Sequence, residues 1–312
     1  MRIKAPSRIH ITLVDLNGAV GRVDGGVGLT LESPGFVIRA RKGDEVRVEG
    51  EAEFAERGKA VLEKFQKKFG YGLEVEIERA YPSHIGLGSG TQLALSVGKA
   101  YSLVNGIELS VREIAELAGR GGTSGIGVAA FELGGFIVDG GHAMKEKNSF
   151  LPSSFSRAKP APVIARHDFP DWDVYLIIPD EKGFAGMREK HLFEKNTPVS
   201  LQDVRELAHI ILMKLLPAVV EHDLDEFANA IHAIQYLGFK RAEVSQYGTL
   251  IFDLIEVLRD YGAAGMSSTG PTVYFVGDRD GIDAAKSYFK EKEIGVEIIK
   301  TKARNRGAEV EI

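Results

Sequence analysis

The sequence contains no cysteine. This absence excludes disulfide bonds, thiolate catalysis and cysteine-bound zinc. No apolar run approaches the length of a bilayer span, and the first residues show no signal-peptide pattern. With a net charge of −5 and no long basic tract, the chain is not expected to bind nucleic acid. These absences predict a cytoplasmic protein that acts on small molecules and has neither a nucleic-acid nor a membrane partner.

Glycine, in contrast, is abundant, with 36 of the 312 residues, against a usual share of ~7%. The glycines cluster at 24–28, 86–90, 121–127 and 265–270. The length predicts two domains, 1–160 and 161–312, each large enough for its own core. Residues 145–170 hold several prolines and are interpreted as the passage between these domains. Interleaved strand and helix patterns predict an α+β fold.

The stretch 82–91 is the one around which the chain is organised. Before it, Leu73 to Glu78 alternates apolar and charged residues, which predicts a strand with one solvated face. After it, a helical pattern continues to Val104 and stops at Asn105-Gly106. Glycines remove the Cβ atoms that would keep a ligand from the backbone, and a helix N-terminus attracts anions. We therefore predict a phosphate or pyrophosphate site formed by Gly86, Leu87, Gly88, Ser89, Gly90 and Thr91.

A glycine-rich turn without ligand is the competing interpretation of this pattern, and for G-x-G-x-G alone the two are about equally frequent. The loop lacks the Lys-Ser/Thr of a Walker A motif. The amphipathic strand before it also fits poorly with a dinucleotide-binding unit.

Polar residues follow one side of the first predicted strand, residues 2–14. Arg8, His10 and Thr12 alternate with apolar residues on the other side. Arg8 and His10, with Arg22, are candidates to bind phosphate or a carboxylate, and a solvated strand face is the alternative. Asp24 is a candidate for magnesium or a ribose hydroxyl, with an Asx turn as the alternative.

The next residues predict a hairpin in which 36–41 pairs with 45–48 across Gly43-Asp44. In the second half, Lys182, His232, Gln235 and Lys240 lie in segments that could close over a substrate. Exposed surface positions are the default for such residues and form the alternative.

Four segments together resemble the superfamily of galactokinase, homoserine kinase, mevalonate kinase and phosphomevalonate kinase (GHMP). They are Ala5–Arg8, Pro82–Thr91, Gly122–Ile126 and Gly265–Pro271. The resemblance implies a two-domain GHMP-kinase-like fold, with a ribosomal S5 domain 2-like N-terminal domain and a ferredoxin-like C-terminal domain. It also implies that Thr123, Ser124 and Gly125 contribute to phosphate binding.

Two departures from the kinase pattern bear on function. Many of these kinases have P-S-G-I-D where this chain has Thr123-Ser124-Gly125-Ile126-Gly127, so glycine replaces the acid that helps to deprotonate the acceptor hydroxyl. Glycine cannot accept a proton. Gly90 stands where the kinase loop usually has a magnesium-binding serine, and Ser89 and Thr91 are the candidate replacements.

A narrower group, the β-ribofuranosylaminobenzene 5′-phosphate synthase family of archaea, resembles this chain at both departures. The resemblance is carried by Arg8–Leu13, Val23–Gly28, Gly86–Thr91 and Ser267–Pro271. It implies a pentosyltransferase that joins phosphoribosyl pyrophosphate (PRPP) to 4-aminobenzoate or 4-hydroxybenzoate. Carbon dioxide and pyrophosphate are released, with Mg²⁺ as cofactor, in tetrahydromethanopterin-type cofactor biosynthesis. A ring carbon is the nucleophile, so the missing kinase acid is expected.

The same resemblance implies roles for single residues and a homodimer. Arg8, His10 and Asp24 are the expected catalytic residues, and Arg22, Gly25, Gly26, Ser268 and Thr269 the expected substrate-binding residues. Two other functions stay open at this point: an ATP-dependent small-molecule kinase, and a non-catalytic homologue that binds a phosphorylated metabolite.

Overall fold

The computed structural model describes residues 1–153 and 155–312. The strands are β1 (Arg2–Asp15), β2 (Arg22–Arg41), β3 (Val46–Glu49), β4 (Leu73–Arg79), β5 (Phe136–Asp139), β6 (His142–Ala143), β7 (Val163–His167), β8 (Asp173–Pro179), β9 (Gly262–Met266), β10 (Val273–Gly277), β11 (Val296–Lys302) and β12 (Glu309–Glu311). The helices are α1 (Ala52–Phe69), α2 (Ser89–Val104), α3 (Val111–Ala118), α4 (Ile126–Glu132), α5 (Met187–Asn196), α6 (Leu201–Ile210), α7 (Leu216–Glu221), α8 (Leu224–Gln235), α9 (Gly238–Ser245), α10 (Leu250–Leu258) and α11 (Arg279–Glu291). A π-helical turn, Ile211–Leu215, joins α6 to α7, and a 3₁₀ turn, Arg259–Tyr261, follows α10.

The first sheet is built on the long antiparallel pair of β1 and β2. Its central order is β12-β1-β2-β4-β3, with β5 and β6 also paired to β2 and β7 paired to β5. The amphipathic helix α1 buries Phe54, Leu62 and Phe65. These side chains join β-strand residues and the nearly all-buried face of α2 in one core. The predicted solvated face of β4 is confirmed, because its buried and exposed residues alternate.

Strand β1 is not half-solvated. Its apolar residues Ile9 and Ile11 are buried, but so are His10 and Thr12 on the other side, at 5% and 0% exposure. Helices of both halves contact β1, α2 and α4 from the first half and α6 and α9 from the second. The alternative of a solvent-facing polar row is therefore wrong for these residues.

The predicted hairpin of 36–41 with 45–48 is also wrong. Strand β3 pairs in parallel with β4, Val46 opposite Leu73, and β4 separates it from β2. A parallel pair needs a crossover, and α1 supplies it. The sequence pattern identified the strand segment, but local turn residues could not reveal that a later strand would insert beside β2.

The second sheet is antiparallel, in the order β11-β8-β10-β9. Alternate residues of β10 enter two different apolar clusters. Tyr274 and Val276 pack with the core that contains α8, whereas Val273 and Phe275 pack with α10 and α11. The period-two side-chain alternation of a strand therefore places helices on both faces of this sheet.

Two segments beyond residue 160 return to the first sheet. Strand β7 pairs with β5, and β12 pairs with β1 at Ile3 opposite Val310. The domain boundary at 160/161 stays a prediction. Among the described residues, no helix is both long enough and apolar enough to cross a membrane.

Candidate active site

The loop between β4 and α2 is held in a shape that glycine permits. Gly86 and Gly88 have φ angles of 88° and 80°, in the left-handed region that side chains disfavour. A Cβ at Gly86 would overlap the carbonyl oxygen of Ser267. The Ser267 hydroxyl donates to the Gly86 carbonyl at 2.8 Å. The predicted phosphate loop therefore contacts the segment Gly265–Pro271, the late loop.

A cleft of about 430 Å³ opens over this loop. Seven of the predicted site residues line it: Arg8, Gly86, Gly88, Ser89, Gly90, Thr91 and Thr269. Nine residues without a predicted role complete the described lining: Glu53, Arg57, His84, Arg120, Ser153, Phe184, Ala185, Gly186 and Glu189.

Three arginines surround the N-terminus of α2. The Arg8 guanidinium donates to the Gly86 carbonyl and would lie 3.0 Å from a Cβ at Gly88. At Gly90, a Cβ would overlap an Arg57 nitrogen and lie 3.4 Å from an Arg120 nitrogen. Because the helix end also carries free N–H groups and a positive dipole, this end of the cleft attracts anions.

Arg120 is the least satisfied of the three. Its Nε is buried and has no hydrogen-bond partner among the described residues. Burial lowers its pKa, and the neighbouring Arg57 charge lowers it further. A bound anion would supply the missing acceptor and offset the repulsion between the two guanidinium groups.

The opposite wall has a different character. Phe184, Ala185 and Gly186 lead into α5, on which Glu189 follows. The Phe184 ring packs edge-on against Tyr247, with centroids 5.3 Å apart. Thr269 donates to the Phe184 carbonyl at 3.1 Å, so the late loop positions this wall. The Arg188 guanidinium lies over the Phe184 ring, 5.9 Å from its centroid. This wall therefore contains an aromatic side chain and one carboxylate, that of Glu189.

The two cleft carboxylates differ in their surroundings. Glu53 pairs with Arg57 at 2.9 Å. A hydrogen bond from Ser83, with this Arg57 pair, lowers its pKa. For Glu189, burial and the nearby Glu243 carboxylate raise the pKa to about 7, against the opposing effect of Arg8. Glu53 is therefore a poor base near neutral pH, whereas Glu189 can both accept and release a proton.

His10 lies behind the cleft lining. Its Nε2 is 3.0 Å from the Ser124 hydroxyl, which lies 3.4 Å from Asp139. Burial, with the charges of Arg8 and Lys240, holds the pKa of His10 well below its usual value. Burial raises the pKa of Asp139 to about 6, although Gly125 and Gly141 donate to it. The Nδ1 atom of His10 has no partner among the described residues.

Asp24 is in a buried ionic cluster outside the cleft lining. Its carboxylate accepts from Lys147 Nζ at 2.9 and 3.0 Å and lies 2.6 Å from His142 Nδ1. Lys147 also donates to the Thr123 hydroxyl at 3.0 Å. This arrangement ties the segment after β6 to the sheet. The catalytic role of Asp24 and the phosphate-binding role of Thr123 stay predictions.

The predicted residues in and just before the glycine cluster 24–28 are also remote from the cleft lining. Arg22 donates to the carbonyls of Gly140 and Gly141. Gly25 and Gly26 are buried within β2, and a Cβ at Gly26 would lie 2.7 Å from Asp139 and 2.8 Å from Ser124. Their visible contribution is close packing between β2 and the segment that begins α4, and their substrate-binding role stays a prediction.

Two side chains for which an exposed position was the default expectation form hydrogen bonds to the late loop. Gln235 and Lys240 are fully buried. Gln235 accepts from the Met266 N–H at 3.0 Å, and Lys240 donates to the carbonyls of Met266 and Ser268. Ser268, with a φ of 53°, donates its backbone N–H to the backbone carbonyl of His10. The surface alternative is therefore wrong for Gln235 and Lys240, while Lys182 is exposed and His232 pairs with Glu256.

Gly127 lies where α4 meets α2. A Cβ there would be 3.1 Å from Thr91 Cγ2, and the Gln92 amide donates to the Gly127 carbonyl at 2.8 Å. Within residues 1–153 and 155–312, no three His, Asp or Glu side chains form a metal-binding group. The magnesium roles of Ser89 and Thr91 stay predictions.

The comparisons with known proteins agree with this architecture. Residues 56–135 match the family model of the GHMP kinases N-terminal domain, and residues 215–294 match that of the GHMP kinases C-terminal domain. A homoserine kinase structure from Cytophaga hutchinsonii has a TM-score of 0.66 at 14% identity, covering 99% of this chain and 96% of that one. A phosphomevalonate kinase from Streptococcus pneumoniae has a TM-score of 0.68 at 12% identity, covering 96% and 99%. The fold and the loop define a protein of the GHMP-kinase class, as predicted.

Full-length relatives give the narrower assignment. A β-ribofuranosylphenol 5′-phosphate synthase of Archaeoglobus fulgidus is 57% identical over all of both chains. A protein of the same name from Methanocaldococcus jannaschii is 44% identical, covering 99% of this chain and 100% of that one. Within the GHMP-kinase class, the chain belongs to the β-ribofuranosylphenol 5′-phosphate synthase family, whose members are enzymes of the pentosyltransferase type.

Proposed function

We propose that this protein joins PRPP to a 4-substituted benzoate, 4-hydroxybenzoate or 4-aminobenzoate, with release of pyrophosphate and carbon dioxide. The observation that carries the proposal is the contrast between the two walls of one cleft. One wall contains Arg8, Arg57 and Arg120 around a helix N-terminus, and the other contains the aromatic residue Phe184. One anionic and one aromatic substrate match these walls.

PRPP carries a pyrophosphate on ribose C1, and this group must leave with its bonding electrons. Guanidinium groups and helix N–H groups stabilise the charge that develops on such a leaving group. The buried, unpartnered Nε of Arg120 supports a site built for an anion. The glycine loop allows phosphate oxygens to approach the backbone closely.

Mg²⁺ fits the donor chemistry beside this loop. The hydroxyls of Ser89 and Thr91 line the cleft, and hard oxygen donors of this kind, with substrate phosphates, are what Mg²⁺ commonly uses. We propose that these two residues hold it against the pyrophosphate. When bound, the ion would neutralise part of the charge on the leaving group.

The aromatic acid is proposed to lie against Phe184 with its carboxylate toward Arg8. Of the three cations considered for that carboxylate, Arg8 lines the cleft, whereas His10 and Arg22 are engaged elsewhere. The ring carbon that bears the carboxylate attacks ribose C1, and loss of carbon dioxide restores aromaticity. The relatives are archaeal and are named for a phenol product, which supports 4-hydroxybenzoate and a place in tetrahydromethanopterin-type cofactor synthesis.

The test compares this reaction with the kinase alternative. Purified protein receives either PRPP with 4-hydroxybenzoate or 4-aminobenzoate, or ATP with candidate alcohols, and pyrophosphate, carbon dioxide and ADP are measured. We expect the first two products only. Arg120→Met should raise the KM for PRPP about 10-fold or more, because one charge-assisted hydrogen bond contributes about 1.5–3 kcal/mol. Arg47→Met, an exposed arginine outside the cleft lining, is the matched control. ADP formation without pyrophosphate would favour the kinase.

A further inference from the structure

Glu189 is the carboxylate of the aromatic wall. It lies in the first turn of α5, three residues after Gly186, and lines the same cleft as Phe184. It is half-buried and forms no ion pair with any residue that the structure describes. An unpaired carboxylate inside a substrate cleft needs a reason, because partial burial without a partner disfavours its charged form.

The charged groups around Glu189 explain why it lacks a partner. Arg8, from β1, faces it but is bound to the Gly86 carbonyl. Glu243, from α9, faces it as a second negative charge. The nearby lysine, Lys240, is committed to Glu243, with Nζ 2.6 Å from Oε2, and to two carbonyls of the late loop. The net effect raises the pKa of Glu189 to about 7.

The other carboxylate of the cleft cannot take the same role. Glu53 lies on α1, is bound to Arg57, and has a lowered pKa. Two carboxylates in one cleft with their pKa values moved in opposite directions indicate different roles, one as a fixed charge and one in proton transfer. Glu189, the candidate for proton transfer, lies on the aromatic wall and faces only one of the three arginines, Arg8.

We propose that Glu189 is a catalytic residue that accepts the proton of the 4-hydroxyl group of 4-hydroxybenzoate and later returns it. This inference rests on the proposed function and names which substrate needs the residue. With the carboxylate end of the acid toward Arg8, the 4-hydroxyl lies at the opposite end of the ring.

The 4-hydroxyl proton moves to Glu189, and the phenolate electrons reach the para ring carbon. That carbon forms a bond to ribose C1, and the bond from C1 to the pyrophosphate oxygen breaks, with the electron pair leaving on pyrophosphate. The bond to the carboxyl group then breaks, carbon dioxide leaves, and its electrons restore the ring and the phenolate. Glu189 returns the proton to the phenolate oxygen.

4-Aminobenzoate does not require this base. The nitrogen lone pair assists attack without loss of a proton, and the iminium that forms returns to an amine when carbon dioxide leaves. Dependence on Glu189 should therefore differ between the two substrates. A residue that only shapes the cleft would affect both alike.

The experiment measures kcat and kcat/KM of Glu189→Gln with both acids across pH 5–10. Glu194→Gln is the control, since this glutamate is on the same helix, is exposed and lies outside the cleft lining. With 4-hydroxybenzoate, kcat of Glu189→Gln should fall by about 10²–10⁴, the usual contribution of a general base. With 4-aminobenzoate it should change by only a few fold. The wild-type rate with 4-hydroxybenzoate should rise with pH through about 7, and the variant should lose this limb.

A fluorinated acid gives a second readout. The ring fluorines of 3,5-difluoro-4-hydroxybenzoate lower the pKa of its hydroxyl, which is then ionised near neutral pH without a base. The ratio of wild-type to variant rates should therefore shrink toward one. An equal loss with both acids, or an unchanged ratio with the fluorinated acid, would overturn the role of Glu189 while the proposed function stands. If wild-type protein converts the hydroxy acids but not 4-aminobenzoate, two other results decide the role of Glu189. They are the ratio of wild-type to variant rates with the fluorinated acid, and the loss in the variant of the rate increase with pH. If wild-type protein converts none of these acids with PRPP, the proposed function fails and the role of Glu189 fails with it.

Discussion

Gly88→Val tests whether the loop that opens α2 is the pyrophosphate site. Gly88 has a φ of 80°, and a Cβ there would lie 3.0–3.3 Å from three Arg8 atoms. A valine would therefore displace the Arg8 guanidinium from the loop. Its side chain would also occupy the space in which pyrophosphate oxygens approach the N–H groups of the loop. If two such hydrogen bonds to the charged pyrophosphate are lost, at about 1.5 kcal/mol each, affinity for PRPP should fall by about 150-fold.

A matched variant separates this effect from backbone strain. Gly70 has a φ of 83° at the end of α1, and a Cβ there meets nothing within 4 Å. The left-handed conformation should cost about 1–2 kcal/mol of stability in either variant. Gly70→Val should therefore lower the melting temperature by a few degrees, as Gly88→Val does, yet keep the affinity for PRPP.

Calorimetric titration of PRPP into both variants, with thermal melts of the unliganded proteins, is the assay. Similar melting temperatures and a large difference in affinity are expected. If Gly88→Val binds PRPP as tightly as Gly70→Val does, the loop does not hold the pyrophosphate.

Three further predictions concern other parts of the molecule. Gly127→Asp should not phosphorylate alcohols from ATP and should weaken PRPP turnover, since it puts a carboxylate beside Thr91. Gly127→Asn is the uncharged control, and an ATP-dependent product formed by Gly127→Asp would contradict this prediction. Asp24→Asn should destabilise the protein by about 3–5 kcal/mol in urea unfolding, because it leaves Lys147 buried without its anion. Adding Lys147→Met to this variant should recover part of the lost stability. An Asp24→Asn protein as stable as wild type would disprove the buried ion pair. Folded Glu189 has a pKa of about 7, raised from 4.5, so its contribution to stability should be lost as pH rises through this interval. The melting temperature of wild type should therefore fall more steeply with pH than that of Glu189→Gln, in which only other groups such as Asp139 still titrate. Parallel melting-temperature curves would argue against that pKa.

The elements that local pattern specifies were predictable from the sequence. The alternation of Leu73 to Glu78 gave β4, and the stop at Asn105 gave the end of α2. Ser110 and Glu113 have the S-x-x-E spacing of a capping box, and at the start of α3 they form the reciprocal hydrogen-bonded pair that this spacing indicates. These signals depend on neighbours in the chain, which explains why they could be read without tertiary structure.

The far wall of the cleft could not be predicted in this way. Phe184 and Glu189 follow β8 at no distinctive spacing, and only folding brings them opposite the loop at 86–90. Arg57 has the pattern of an ordinary surface residue on α1, four residues after Glu53. Arg120 had one available signal, its position directly before the third glycine cluster.

Glycine clusters were also a less specific signal of a ligand site than their sequences indicate. Gly86, Gly88 and Gly90 line the cleft, whereas Gly26 and Gly28 allow the start of α4 to pack against β2. A Cβ at Gly28 would overlap Ile126. Close approach of protein to protein and close approach of protein to ligand require the same residue type, so composition alone does not separate them.

In the proposed reaction the aromatic ring carbon attacks ribose C1 and then loses its carboxyl group. The direct measurement incubates the protein with PRPP and carboxyl-labelled 4-hydroxybenzoate and follows the label and pyrophosphate together. Labelled carbon dioxide and pyrophosphate should form in equal amounts, each only when both substrates are present. Pyrophosphate release with the label retained on the aromatic product would contradict this reaction, because the bond would then have formed through oxygen.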